Sequence, residues 1–155
     1  MSRKEVVTLT NMCLIENEDG KVLVQIRDPR RYRWSGVAFP GGHVEEGENF
    51  HDSVVREVQE ETGFTIHKAH LVGIKHWPDQ DGHRYMVLLY KATDFSGEIR
   101  SSEEGEVLWV NKAELANMDL AYDLLEVLAV MDSPNLSEFF YTQKDRDGEW
   151  DKNYR

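Results

Sequence analysis

Between Gly42 and Phe64 the chain reads GHVEEGENFHDSVVREVQEETGF, with seven acidic side chains and a single Lys or Arg, Arg56. Val54, Val55 and Val58 fall at helical spacing with Phe50, and Gly63 stands where a left-handed cap belongs, so the pattern predicts a helix over Phe50–Thr62. On that helix Glu57, Glu60 and Glu61 lie at i, i+3 and i+4, which puts three carboxylates on one face within reach of one another. Unneutralised, such a triplet costs stability through repulsion. Gathered around hard cations, it becomes a set of oxygen ligands of the kind Mg²⁺ or Mn²⁺ takes. The plainer reading is a solvated acidic helix face. Two neighbours favour the ligand reading. Pro40-Gly41-Gly42 can bring bare backbone close to a ligand because glycine has no Cβ. Arg56, one turn before Glu60, can pair with a carboxylate and orient it.

The whole chain has 155 residues and a formal net charge of −11 from 18 basic and 29 acidic side chains. That length suits one domain with a core of its own, spanning 1–155, with 133–155 peripheral. The acidic balance argues against a nucleic-acid partner, which requires a basic face. An acidic protein that handles phosphates must bring in positive charge, and metal ions are the natural source. The one cysteine, Cys13, excludes a disulfide framework and sits in the apolar run Met12–Ile15 as a packed thiol. No stretch approaches the roughly 18 apolar residues of a membrane span, and no apolar leader follows the charged N-terminus, so a soluble cytoplasmic protein without a membrane partner is expected.

Along the chain, Val6–Glu16 and Lys21–Arg27 read as a hairpin closed by Asn17-Glu18-Asp19-Gly20. Gly36–Phe39 is a short strand ending at the Pro-Gly-Gly turn. Thr65–Trp77, Arg84–Ala92 and Glu106–Val110 are strands, followed by helical stretches over Lys112–Asn117 and Leu120–Met131. The polar end, Ser133–Arg155, is expected to pack partially and to be loose at its last residues. Asp79-Gln80-Asp81-Gly82 and Asp145-Arg146-Asp147-Gly148 read as turns, since each lacks the remaining ligands of a calcium loop. The six histidines form no zinc spacing, and neither a serine-hydrolase elbow nor a P-loop is present.

The acidic segment resembles the Nudix box, G-x5-E-x7-R-E-U-x-E-E-x-G-U with U a bulky apolar residue. Gly42, Glu48, Arg56, Glu57, Val58, Glu60, Glu61, Gly63 and Phe64 fill all nine fixed positions without a gap. The lead-in Phe39-Pro40-Gly41 agrees, and from about Thr8 to Leu115 the chain is similar to MutT-type nucleotide hydrolases. The resemblance implies an α/β fold, a Nudix-type α/β/α sandwich with a mixed β-sheet and the box as loop-helix-loop. It also implies divalent metal, Mg²⁺ with Mn²⁺ as substitute, held by Glu57, Glu60 and Glu61 and by a carbonyl from Gly41 or Gly42. Arg56 and Glu48 would support the loop and helix.

The implied reaction is water attack on a diphosphate bridge, with a nucleoside triphosphate giving monophosphate and pyrophosphate and 8-oxo-dGTP the first candidate. Other diphosphates, or a non-catalytic nucleotide sensor, are the competing readings. A carboxylate must accept the water's proton. The resemblance points to the Ser101–Glu106 segment, Glu104 first and Glu103 next, with Glu60 as competitor. For the nucleotide itself the matching positions are Asn11 on the first strand and Trp34-Ser35, where Trp34 could stack on a base. Arg27, Arg30, Arg31 and Arg33 form a basic cluster that could grip phosphates, and His43 could approach them. The partner is a small nucleotide, the assembly a monomer or homodimer.

Overall fold

A computed structural model describes residues 2–31, 35–144 and 148–155. Trp34, and the Asp145–Asp147 part of the second turn, lie outside the described residues. The elements follow in the order β1 (Val7–Ile15), β2 (Lys21–Arg27), β3 (Gly36–Ala38), α1 (Phe50–Thr62), β4 (Phe64–His67), β5 (His70–Pro78), β6 (Arg84–Ala92), β7 (Asp94–Gly97), β8 (Gly105–Asn111), a 3-10 turn (Lys112–Asn117), α2 (Leu124–Asp132), β9 (Glu138–Gln143) and β10 (Trp150–Tyr154). The main sheet is mixed, in the order β1-β6-β5-β9-β10, with β1 parallel to β6 and β5 parallel to β9. A second sheet runs β3-β2-β8, and β4 pairs with β7.

Helix α1 has the expected bounds. Its N-terminus is capped by Asn49, whose Oδ1 accepts from the Asp52 amide at 2.8 Å, and its C-terminus stops at Gly63 with φ 85°. The two faces of the main sheet bury separate apolar clusters. Val54 and Val58 of α1 pack with Cys13, Ile15, Leu88 and Tyr90, while Leu124, Val127 and Val130 of α2 pack with Leu14, Leu89 and Phe139. Each such fully buried side chain contributes roughly 1.5–3 kcal/mol. Burial of Cys13 pushes its thiol up to about 12, so it is an inert core residue.

Four expectations are corrected. The first two strands form no hairpin ladder. They share only the bridge Glu16↔Val22, then diverge, β1 into one sheet and β2 into the other. Each has buried residues on both faces, and covering both requires neighbours on both sides. Second, the expected single strand over Thr65–Trp77 breaks at Lys68, where φ is 54°, into β4 and β5. Third, α2 begins at Leu124 because Asp123 takes a left-handed conformation, φ 59°, that ends any helix from Leu120. Fourth, the polar end is an antiparallel hairpin that adds β9 and β10 to the main sheet, closed by the Ser137 and Glu138 amides donating to the Arg155 carbonyl. Alternation around Phe139 and Tyr141 carried that signal, masked by the surrounding polar residues.

Candidate active site

The outer edge of β1 is covered by the glycine turn. The amides of Cys13 and Asn11 donate to the carbonyls of Pro40 and Gly42, both at 2.8 Å, and Val44 donates to Leu9 at 3.0 Å. This seats Pro40–Val44 between β1 and α1. At Gly41 a Cβ would run into the Asn11 carbonyl, and at Gly42 into the Glu57 carboxylate, so the close approach of loop to strand and helix needs glycine at both positions. The space a side chain would fill is the space the carboxylates use.

Glu61, only 6% exposed, accepts from the Gly41 amide at 3.0 Å. Burial first, then the close approach of the Glu104 carboxyl and the charge of Glu57, pushes its carboxyl well above the usual range. Glu57 is raised too, by burial, against the pull of Arg56. Glu104 reaches this pair from the start of β8, and its Oε2 is buried without a hydrogen-bond partner. Two raised carboxyls and an orphaned carboxylate oxygen form a donor set that fits a hard divalent cation. Among the described residues no amide donates to the Gly41 carbonyl, whereas that of Gly42 is taken by Asn11. Gly41 is therefore the better supplier of a backbone oxygen.

Arg56 is the clamp. Its Nε and Nη2 donate to the two oxygens of Glu48 at 2.8 and 2.9 Å, Nη1 donates to Glu57 at 2.9 Å, and Nη2 donates to the His43 carbonyl at 3.0 Å. This fork holds Glu48 down at about 2. Glu60 stands apart from its two neighbours, 57% exposed and joined to Arg56 Nη1 at 3.3 Å. Glu103 points outward at 86% exposure and pairs with Arg31 at 3.0 Å.

The other expected binding positions divide. Asn11 turns under the loop: its Nδ2 donates to Ser53 Oγ at 2.7 Å and its Oδ1 accepts from the Gly42 amide at 3.2 Å. Both ends of this buried amide brace the turn against α1, so its placement gives no support to a contact with a base. Ser53 is a member of the brace that the sequence did not reveal, since a serine inside a helix carries no signal of its partner. Arg27 and Ser35 do share a cleft of about 360 Å³ with Gly36, Met118 and Asp119. Arg30 folds back onto Asp28 at 2.8 Å. Among the described residues the one group of three His, Cys, Asp or Glu side chains with ligand atoms all within 4.8 Å of one another is Asp79, Asp81 and His83 in the β5–β6 turn, where the Asp79 carboxylate already accepts from the amides of Asp81 and His83. Glu57, Glu61 and Glu104 stand further apart than that. No helix among the described residues is long and apolar enough to cross a membrane.

A helix carrying buried carboxylates beneath a glycine turn, on a mixed sheet between helices, defines a hydrolase site of the phosphate-handling class. Residues 8–131 match the NUDIX domain, and the chain belongs to the Nudix hydrolases, enzymes that act on nucleoside diphosphate derivatives and generally use divalent metals. It is 33% identical over 114 residues to the uncharacterized Nudix hydrolase YvcI of Bacillus subtilis, covering 70% of this chain and 69% of that one. It is 31% identical over 121 residues to the nucleoside triphosphatase NudI of Escherichia fergusonii, covering 69% and 84%. The crystal structure of the mutator MutT protein from Bacillus halodurans superposes with a TM-score of 0.73 at 30% identity, covering 96% of both chains.

Proposed function

We propose that this chain hydrolyses nucleoside triphosphates to the monophosphate and pyrophosphate with Mg²⁺, or Mn²⁺ in its place, and that an oxidised purine nucleotide such as 8-oxo-dGTP is a preferred substrate. The observation that carries the reading is the convergence of Glu57, Glu61 and Glu104 under the glycine turn, with Glu104 Oε2 buried and unpartnered. The likeness to NudI, itself a nucleoside triphosphatase, supports the triphosphate class. Bound there, divalent ions would neutralise phosphate oxygens and lower the pKa of the attacking water.

The chain's own residues divide the remaining work. Glu57, Glu61 and the Gly41 carbonyl would hold the metal. Glu104 is the best-placed proton acceptor, because Glu103 is spent on Arg31 and Glu60 faces solvent against Arg56. Arg56 keeps Glu57 and the His43 carbonyl in register. Arg27 and Ser35 line a cleft where the substrate's phosphates or sugar would pass. The acting unit is the whole of 1–155, as monomer or homodimer, in the cytoplasm, with no nucleic-acid or membrane partner.

The test is pyrophosphate release over oxidised and normal nucleoside triphosphates, nucleotide sugars and dinucleotides with Mg²⁺ and Mn²⁺. Glu57→Gln and Glu61→Gln are each expected to lower kcat about 10²–10³-fold. Turnover that survives both substitutions overturns the site, and binding without turnover of any substrate points to a sensor.

A further inference from the structure

The carboxylates account for the α1 side of the glycine turn. From there a row of side chains crosses the sheet face that is turned toward α2. The His43 ring, beside the glycine turn, meets Tyr85 edge-on with centroids 6.5 Å apart. Tyr85 stacks on Trp77 at 4.5 Å, and Lys75 Nζ lies 5.0 Å from the Trp77 ring. Strand register sets this order: Trp77 opposes Tyr85, Lys75 opposes Val87, and on its other side Lys75 opposes Phe139. Beyond Lys75 stands Asp123, its Oδ2 3.9 Å from Nζ, too far for a hydrogen bond.

This end contains polar groups that the packing alone does not explain. Lys75 is 7% exposed, with the rings of Tyr122, Phe139 and Tyr141 also 5.8–6.0 Å from its ammonium. Burial lowers its pKa against the pull of Asp123. The Asp123 side chain is 5% exposed, yet its Oδ2 accepts no hydrogen bond, and the buried Tyr141 hydroxyl also lacks a partner. Buried polar atoms are nearly always satisfied, and two orphans beside a caged ammonium mark a place that a ligand completes. Tyr122 borders it with 71% of its surface exposed.

Part of this arrangement comes from beyond residues 8–131, which match the family. Phe139 and Tyr141 belong to β9. Lys152 of β10 holds Asp123 Oδ1 at 2.9 Å and Glu126 at 3.0 Å, which leaves only Oδ2 turned toward Lys75.

We propose that the C-terminal hairpin completes a receptor for the substrate's base, in which Trp77 and Tyr85 form the aromatic wall, Lys75 and Asp123 are donor and acceptor to the base edge, and Lys152 is the positioning residue for Asp123. The proposal rests on the nucleotide-hydrolase reading and names its specificity residues. An ammonium only donates and a carboxylate only accepts. Side by side they take an edge with a keto oxygen next to a ring N–H, the edge of a guanine-type base. An adenine-type base offers a weaker ring-nitrogen acceptor to the same ammonium.

The experiment measures kcat and KM with a guanine and an adenine nucleoside triphosphate for the wild type, Lys75→Met, Asp123→Asn, Lys152→Met and Lys152→Arg. A matched pair of hydrogen bonds to a base edge supports roughly tenfold discrimination or more. Lys75→Met and Asp123→Asn should therefore raise KM for the guanine substrate about tenfold while kcat holds. The guanine-to-adenine ratio should fall in Lys152→Met and return in Lys152→Arg. In chelator, guanosine monophosphate should quench tryptophan fluorescence in the wild type and not in Trp77→Phe, a readout independent of turnover. An unchanged ratio in active Lys75→Met and Asp123→Asn variants overturns the proposal, as does a quench that persists in Trp77→Phe. A wild type that turns over no nucleotide defeats the hydrolase reading instead, and the quench still decides the receptor.

Discussion

The glycine turn and the C-terminal hairpin solve opposite electrostatic problems. At the glycine turn, like charges are gathered: Glu61 is buried and Glu57 half-buried close to Glu104, and burial first, then the neighbouring carboxylates, raises both carboxyls against the pull of Arg56 on Glu57. At the hairpin end, opposite charges are gathered: Asp123 lies between Lys75 and Lys152, and Lys152 also meets Glu126. The first cluster is destabilising while it is unneutralised, and on the proposed reading its residues serve cation binding rather than folding. The second is balanced in charge within the chain and ties the hairpin to the start of α2, while Asp123 Oδ2 is left without a hydrogen-bond partner. Buried charge by itself therefore says little; the sign of its neighbours decides whether the charge stabilises the fold or calls for a cation.

Removing one partner at each end should separate them. The largest change in stability is expected from Asp123→Ala, which strands Lys75 in a buried site and puts alanine at φ 59°. A loss of about 3–5 kcal/mol in urea unfolding is expected. A loss near zero would mean that the Lys75–Asp123–Lys152 group does not bind the hairpin to the domain. Next in size is metal. Mg²⁺ at a hundred times its dissociation constant should stabilise the wild type by about 2.7 kcal/mol, and chelation should remove that gain. Glu57→Gln should lose most of the increment while its metal-free form is no less stable than the wild type, because a repelling charge has gone. Equal Mg²⁺ stabilisation in both proteins would sink the contrast between the ends.

The smallest effect concerns pH. Glu48 is held at about 2 by Arg56, below its unfolded value near 4.5. Its contribution is therefore complete above about 4.5 and is lost as pH falls toward 2. Glu48→Gln should flatten the acid side of a stability-versus-pH curve and leave the neutral-to-alkaline side unchanged in shape. An acid limb as steep as that of the wild type would show that the Arg56 fork does not depend on this carboxylate.

Local patterns were legible wherever local physics dictates them. The spacing of Phe50, Val54 and Val58 with a glycine stop gave α1 its bounds, and the acidic run placed Glu57 and Glu61 on that helix; Glu104 was named only through the resemblance, and the fold brings it beside Glu61. Pairing partners were not legible. Asp-Gly between two apolar runs suggests a hairpin, yet β1 and β2 part company because each buries both faces against strands far along the chain. Asn11 had the look of a ligand group and is a brace, since only the fold brings Ser53 and the Gly42 amide to it. Lys75, Asp123 and Lys152 carry no motif, being separated by dozens of residues.

By itself the sequence determined the helix, its caps, the run of acids and hence the family, because these depend on side chains within one or two turns of one another. Tertiary structure alone decided which carboxylates are buried together, which glutamate faces water, and how a polar tail becomes the strands that hold Asp123. Those outcomes depend on desolvation and on contacts between distant segments, and neither exists until the chain has closed on itself.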